Sequence, residues 1–549
     1  MVENIRNLMC KMEYHLKKLL FSLLALLIFE VTSAQEPISE VLRSRLENSL
    51  SGEPNSEAPI RFSYGNTIHK FYSEENFQPV WIENQKISKR VDQFIQNLEQ
   101  VEFDGLKPEE YHLERIKSIV QEGPKNDIRL AELELILTDS FFKVTKDLHQ
   151  GKVDHNEFKA DWEINSKVPR YDYLELLREV QRNGDIARIF QELHPDFFMY
   201  ENGRKVLKQL SAYAKNQPDD WKKLSLNGAI KVGQSNELMP EIRERLAYWK
   251  FMEPRADQNI KMDSLDMVAV KAFQKRNGMN DDGVIGRMTI DRLNYSPQDL
   301  INIARVNMER LRWLPDTVKT GQIVLVNIAN YQMDFLNDRD TLLTERVIVG
   351  KRYHESPIFA AQMSYIVFSP YWNIPYSITH NEILPKARKD PAYISAKNME
   401  IVDNSGKVIS ANSVDWESGK FPYRIRQKPG ETNSLGLVKF IFPNNHSVYL
   451  HDTPARYLFE KEERAMSHGC IRVENPADLA AILLRDDPGW TQKKIYDAMH
   501  QSTEKTVYLK NKIPVVLLYL TFWADTSGRG HYRPDIYARD EALLAELDK

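Results

Sequence analysis

The spacing of apolar positions along the 549-residue chain changes character several times. From about 61 to 225 apolar residues recur at helical intervals among charges. Leu130, Leu133, Leu135 and Leu137 lie in one such charged stretch, and Asp104-Gly105-Leu106-Lys107-Pro108 marks a turn before a new helix. No chemistry-bearing constellation sits there, so the stretch reads as a helical scaffold. Residues 226–295 form a compact unit of short helices. Ile242, Leu246 and Tyr248 or Trp249 mark the first, Met267, Val270, Ala272 and Phe273 the second, and Thr289 to Leu293 the third. Gly278, Gly283 and Gly286 suit the tight connections between them. Residues 296–319 continue as a linking helix through Ile303, Val306, Met308 and Leu311 to Trp313-Leu314-Pro315.

From 320 the period shortens. Runs at 322–329, 331–336, 343–350, 366–368, 438–442 and 515–523 are rich in β-branched and aromatic residues and end at turn residues, which predicts a mostly β domain over 320–525. The stretch 376–425 interrupts it with Pro385, Pro391 and basic, helix-like sequence and reads as an inserted lid. A charged tail, 526–549, reads as peripheral. The expected class is therefore multidomain α+β: helical scaffold, small three-helix domain, and mostly-β domain with a lid.

The N-terminus changes the picture of where the chain works. Lys17 and Lys18 precede an apolar run from Leu19 to Phe29, followed by Val31-Thr32-Ser33-Ala34. A basic, then apolar, then small-residue order fits an export signal over 1–34, with Met12 as an alternative start. The run is short of the ~20 residues that span a bilayer, although an uncleaved anchor is the competing reading. Either places the rest of the chain outside the cytoplasm, in a periplasm, soluble or tethered. Residues 35–60 read as a polar linker. A net charge of -4 gives no basic excess for a phosphate backbone, which argues against nucleic acid. Of two cysteines, Cys10 falls in the segment expected to be removed, leaving Cys470 without an intramolecular partner. Such a thiol is a buried spectator, an intermolecular bridge or a nucleophile.

Its neighbours favour the nucleophile. The segment Val448-Tyr449-Leu450-His451-Asp452-Thr453 is followed, nineteen positions after the histidine, by the cysteine of Ser467-His468-Gly469-Cys470-Ile471-Arg472-Val473. A thiol with pKa ~8.5 needs a base, and an imidazole supplies one when an acceptor orients it. His451 ends a strand-like run and Asp452 follows it. Gly469 lets backbone approach a reacting carbonyl, so the Cys470 amide can serve as an oxyanion donor, with the Tyr449 hydroxyl as a second. Arg472, on the face of Cys470 if the segment is extended, is a cation for substrate carboxylates. His468 competes as base, but a side chain two residues away need not face the thiol. Trp372 is a candidate groove residue, with core packing equally open, and His446 and His380 read as loop residues. No metal-binding spacing occurs: H-E-x-x-H and C-x-x-C are absent, and Asp281 and Asp282 lack the EF-hand pattern. No cofactor is expected.

Two resemblances sharpen this. "AVKAFQKRNGMNDDGVIGRMTIDRLN" resembles the second half of a three-helix peptidoglycan-binding domain. "YLHDT…SHGCIRV" resembles the signature of L,D-transpeptidases with a YkuD-type domain, an upstream His and then S-H/S-G-C-x-R/N. The order of domains is most similar to the long YcbB-like subfamily. The resemblance implies Cys470 as nucleophile, His451 as base, Tyr449 and the Cys470 amide at the oxyanion, and Arg472 on substrate, with Ser467, His468 and Trp372 nearby. In the family the base is often oriented by the carbonyl after the His, so Asp452 acts by carbonyl or carboxylate, left open here. It further implies a donor tetrapeptide and a diaminopimelate amine as substrates, 3→3 crosslinks, acylation by carbapenem-type β-lactams, and other cell-wall synthases as candidate partners. The alternatives are an L,D-carboxypeptidase or other hydrolase on the same residues, and a non-catalytic wall-binding protein. A thiol–disulfide enzyme is disfavoured for want of a second cysteine.

Overall fold

The computed structural model of the protein describes residues 38–51, 62–124, 126–156, 158, 162–164, 171–217, 221–315, 321–338, 340–416, 418 and 420–549. The expected export signal, with Cys10, lies outside the described residues. Within the expected linker the structure has a helix, Ile38–Ser51. Ile38, Leu42 and Leu46, spaced by four, are its buried positions, a stripe that the polar composition obscured. Among the described residues no helix is long and apolar enough to cross a membrane.

The chain divides into two compact units. The first comprises residues up to Val101, Lys107–Leu148 and Arg170–Leu193 and is almost wholly helical. Its long helix Asp127–Gln150 buries all four leucines noted above. Phe71, Trp81, Phe94, Phe141 and Phe142 form a continuous aromatic core beside it. Glu134, fully buried there, accepts the N–H groups of Val80 and Trp81 and the Tyr72 hydroxyl. Burial still lifts its carboxyl to about 7.

The second unit comprises Glu102–Leu106, His149–Pro169 and everything from His194 on. Its three-helix part, Met239–Tyr248, Ser264–Arg276 and Arg287–Leu293, encloses Ile242, Leu246, Val270, Phe273, Ile290 and Leu293. Ala272 instead faces solvent. Gln274 explains the Phe-Gln pair of the motif: its amide oxygen accepts Gly283 N–H at 2.8 Å and its nitrogen donates to the Val284 carbonyl at 2.9 Å, closing the glycine loop. The linking helix, Pro297–Trp313, starts with a Ser296/Asp299 capping box and a proline, both strong start signals. It is buried on most sides, and Arg312 at its end is fully enclosed, paired with Glu309 and bonded to the Asp104 carbonyl.

The β part is a closed sheet. In order run Val438–Ile441, Leu450–His451, Ile471–Val473, Asp340–Gly350, Gln332–Asn337, Gln322–Asn327, Lys505–Leu518 and Ile358–Phe368, and Val438–Ile441 pairs with Ile358–Phe368 to close the ring. Inward residues such as Val324, Phe335, Val347, Ile366, Phe440, Leu450, Ile471 and Val515 are fully buried. At roughly 1.5–3 kcal/mol each, such side chains supply the main drive for closing the barrel. Trp162–Glu163, from the stretch read as scaffold, adds a short parallel strand beside Ile358–Phe368. The late strand differs from the expected 515–523: Lys505–Leu518 is one long strand and Phe522–Ala524 a separate one.

Residues 376–425 fold on themselves. The four-stranded sheet that flanks them runs Val408–Ile409, Met399–Val402, Arg424–Gln427, Trp372–Asn373, over a core of Ile374, Ile383, Leu384, Ile394, Ile401 and Ile425. The tail is not peripheral. Gly530–Tyr532 pairs with Phe522–Ala524, and the helix Asp540–Leu547 buries Leu543 and Leu547. Arg310 meets Asp540, while Tyr537 donates to the Gly350 carbonyl at 2.6 Å. Its charges hid three apolar anchors that pack against the domain.

Candidate active site

Leu450–His451 and Ile471–Val473 are adjacent parallel strands in the register Leu450↔Ile471 and His451↔Arg472, and Ile471 N–H donates to the Tyr449 carbonyl at 3.2 Å. Side chains alternate along a strand. Leu450, Ile471 and Val473 fill the barrel core, so Tyr449, His451, Cys470 and Arg472 share the opposite face. Two residues of offset on strands ~4.8 Å apart put the His451 and Cys470 backbones about 8 Å from each other. The Tyr449 ring lies 5.6 Å from that of His451, and its hydroxyl interacts with the Cys470 sulfur.

His451 is 5% exposed and its Nδ1 lies 2.5 Å from the Asp452 carbonyl oxygen. A carbonyl only accepts, so Nδ1 carries the proton and Nε2 keeps its lone pair. Burial first, then the Arg472 charge, push the imidazole down to about 3, against the carbonyls of Asp452 and Leu435. Burial raises the Cys470 thiol, opposed by Tyr449 and Arg472. Both groups therefore rest neutral near pH 7. Neither shift favours a resting thiolate–imidazolium pair.

The Asp452 carboxylate is occupied elsewhere. Oδ2 accepts Leu437 N–H at 2.8 Å, and Oδ1 accepts Thr453 N–H at 2.7 Å and the Arg456 guanidinium at 2.6 Å. It therefore anchors the loop before the barrel strand, and the backbone carbonyl is what faces the imidazole.

The turn that carries Cys470 is held from behind. Gly469 has φ +114°, a region that favours glycine. Its N–H donates to Ser467 Oγ at 3.0 Å and its carbonyl accepts Ser356 Oγ at 2.8 Å. The buried Ser467 also donates to the Cys470 carbonyl at 2.6 Å. Its hydroxyl thus serves the turn as both donor and acceptor. The Cys470 N–H has no acceptor among the described residues and remains available to an oxyanion. Arg472 Nε is likewise buried without a partner, and burial lowers its guanidinium. A desolvated cation lacking a counterion is costly, and a ligand carboxylate would relieve that cost.

His468 meets the lid. It is 43% exposed, and Nε2 lies 3.2 Å from Glu382 Oε1 in the lid, delivered by the π-helical turn Thr379–Ile383. Trp372 packs against the lid's own core, the second of its two readings. His380 stacks on Tyr376, and His446 bonds Glu163, next to Ser447, whose carbonyl accepts the Cys470 thiol at 3.9 Å. Among the described residues no cluster of three or more His, Cys, Asp or Glu side chains is arranged to hold a metal ion.

Residues 321–495, which contain Tyr449, His451, Cys470 and Arg472, match the family model described as "L,D-transpeptidase catalytic domain". The chain carries a YkuD-type L,D-transpeptidase catalytic domain. Ahead of the L,D-transpeptidase domain, residues 66–207 match "Scaffold domain" and 235–293 match "Putative peptidoglycan binding domain". A Haemophilus influenzae protein named "Putative L,D-transpeptidase" is 39% identical over 246 residues. The match covers 44% of this chain and 49% of that protein, so the chain spans about half the length of the curated relative. Among solved structures, the L,D-transpeptidase of Stackebrandtia nassauensis is 15% identical, covering 54% of this chain and 97% of its own, with TM-score 0.20. The L,D-transpeptidase of Mycobacterium smegmatis is 11% identical, covering 36% and 59%, with TM-score 0.17. Nothing further rests on likenesses of that size.

Several supports of the L,D-transpeptidase site carry no sequence signal. Ser356 braces the turn through the Gly469 carbonyl, 113 residues away in the chain, and Tyr537 bonds the Gly350 carbonyl across 187 residues. Tyr457, 68% exposed, bears on Arg472. Glu382 was one acid among many in the insertion.

Proposed function

We propose that the protein is a peptidoglycan L,D-transpeptidase working outside the cytoplasm. The observation that carries this is the shared strand face of Tyr449, His451, Cys470 and Arg472 inside the matched domain. Cys470 Sγ attacks the carbonyl carbon of the L,D bond before the terminal D-residue of a donor tetrapeptide as its proton passes to His451 Nε2. The carbonyl oxygen takes up negative charge against the Cys470 N–H and Tyr449 hydroxyl. The C–N bond breaks, His451 returns the proton to the departing D-amino acid, and a thioester remains. A second stem's amine, of the diaminopimelate class, gives its proton to His451 and attacks the thioester. The thiolate leaves, is reprotonated, and a 3→3 crosslink results. One acyl bond is exchanged for another, so no external energy source is needed. Arg472 meets the donor's free carboxylate, and the same thiol is open to carbapenem-type acylation.

Water in place of the amine would give a carboxypeptidase. The lid's contact to the nucleophile turn through Glu382 and His468 supports transfer, because a covered thioester is shielded from water. Muropeptide mass spectrometry tests the reading. Purified protein with tetrapeptide substrates should yield crosslinked dimers and free D-amino acid, and Cys470→Ala should yield neither. Tripeptides without dimers would replace transfer by hydrolysis, and unchanged products from Cys470→Ala would end the cysteine mechanism.

A further inference from the structure

Away from the Cys470 face, a cavity of about 640 Å³ lies between the three-helix part and the barrel, lined by Met279, Arg292, Tyr331, Arg464, Arg533 and their neighbours. That volume is in the range of small-ligand sites, ~300–1,000 Å³. Its polar lining is unusual. Arg292, Arg464 and Arg533 lie close enough that each of the first two depresses the Arg533 guanidinium, which burial already lowers, to about 10. Among the described residues none of the three has a carboxylate within ion-pair distance, and Glu474 and Glu460 act on Arg464 only through space. Arg464 spends its donors on the carbonyls of Val347, Lys461 and Tyr331. Arg533 bonds Asn330 Oδ1 at 2.7 Å and the Tyr532 carbonyl at 2.8 Å, which leaves Nη2 unused. Arg292 makes one bond, to the Tyr295 hydroxyl at 3.0 Å. The Tyr331 hydroxyl is buried with no partner.

Five acids share the lining, Asp291, Glu345, Glu462, Glu463 and Glu474, and among the described residues none of them is within ion-pair distance of Arg292 or Arg533. Glu474 is taken by Arg346, Glu345 by Asn475, Glu462 by Asn280 N–H, and Asp291 faces Arg287. Glu463 bears on Tyr331. Gly278, the motif glycine, is bound up with this arrangement. Its φ is +68°, and a Cβ there would lie 2.3 Å from the Arg533 guanidinium carbon. The three-helix part thus accepts a cation from the C-terminal segment at its own tight turn, where burying an ion pair's worth of charge without a counterion is unfavourable.

We propose that this cavity is a binding site for a small ligand bearing a carboxylate or phosphate group, held by Arg292, Arg533 and Tyr331, and distinct from the Cys470 groove. Guanidinium forks match either oxyanion, and the unpartnered phenol supplies a further donor. The site adjoins the strand Ala465–Ser467, since Arg464 also accepts Val349 N–H on its carbonyl at 3.0 Å. Occupancy therefore bears on the chain leading into the nucleophile turn.

Titration calorimetry on the full chain tests this with two probes, inorganic phosphate and N-acetyl-L-alanyl-D-glutamate. Binding of either supports the site, and the tighter probe identifies the oxyanion. Arg533→Gln and Arg292→Gln should each weaken binding tenfold or more, and Arg472→Gln should leave it unchanged. Tyr331→Phe, which removes an unpartnered hydroxyl and should fold normally, should weaken it severalfold. No heat with either probe, equal affinity in Arg533→Gln and Tyr331→Phe, or loss of binding in Arg472→Gln would overturn the proposal. Because none of these readouts involves catalysis, the outcome is separate from that of the transpeptidase reading.

Discussion

Asp452→Asn separates two ways of orienting the base. In the structure the imidazole proton faces the Asp452 backbone carbonyl at 2.5 Å, while the carboxylate accepts Leu437 N–H, Thr453 N–H and Arg456. An asparagine keeps the carbonyl but has one acceptor oxygen. Whichever way its amide turns, its NH₂ meets a backbone N–H that had been satisfied. Leaving a buried donor unpaired costs about 1–3 kcal/mol. Arg456 is half exposed, so its lost ion pair adds ~1 kcal/mol at most. Urea unfolding should show that loss of stability. The rate of Cys470 acylation by a carbapenem, followed by intact mass, should fall by less than about tenfold, because the group holding His451 is unchanged. A carboxylate that itself oriented the imidazole would behave differently, with a loss near 10⁴-fold and little change in stability. That pattern would refute the carbonyl assignment.

Further outcomes follow from the same geometry. Gly436→Ala, at φ +62° with a Cβ 2.3 Å from the Asp452 carboxyl, should cost roughly 2–4 kcal/mol in a thermal or urea melt and slow acylation as Asp452 shifts. Arg472→Gln removes a desolvated cation without a partner, so stability should hold or rise, while kcat/KM for a carboxylate-bearing donor falls about 10–100-fold, the worth of one charge-assisted hydrogen bond. His451 titrates near 3 when folded and near its ordinary 6.5 when unfolded. Between those values the unfolded chain binds the extra proton, so wild type should lose stability as pH falls from 6.5 towards 3, by about 1.4 kcal/mol per pH unit at most from this group. The non-titrating His451→Asn should lack that component, and urea midpoints for the two at pH 7 and pH 4.5 measure the difference.

What was legible in the chain was what is encoded locally. His451 and Arg472 fall on two short strands with Tyr449 and Cys470 directly before them, so a spacing of two within each segment pointed to a shared face before any pairing was known. The motif glycines and Gln274 close a loop within ten residues and were equally readable. What escaped depends on contacts between distant segments. Trp162–Glu163 is too short for a periodic signal, and its strand identity comes only from Ile358–Phe368. Tyr537 and Leu543 sit in a charged tail whose few apolar residues meet the barrel, so composition alone pointed outward. The place of Ser467 beside the cysteine did not show that its hydroxyl completes the turn. The protonation state was also hidden, because it depends on how deeply His451 is buried and where Arg472 lies.

The central claim is that Cys470 forms the acyl-enzyme. Intact mass spectrometry after brief incubation with a donor tetrapeptide, quenched in acid and followed by peptide mapping, addresses it directly. A mass gain equal to the donor minus the released free D-amino acid, carried on Cys470 and absent from Cys470→Ala and His451→Asn, is the predicted result. An unmodified Cys470 in protein that turns the donor over, or the same adduct in Cys470→Ala, would contradict the account.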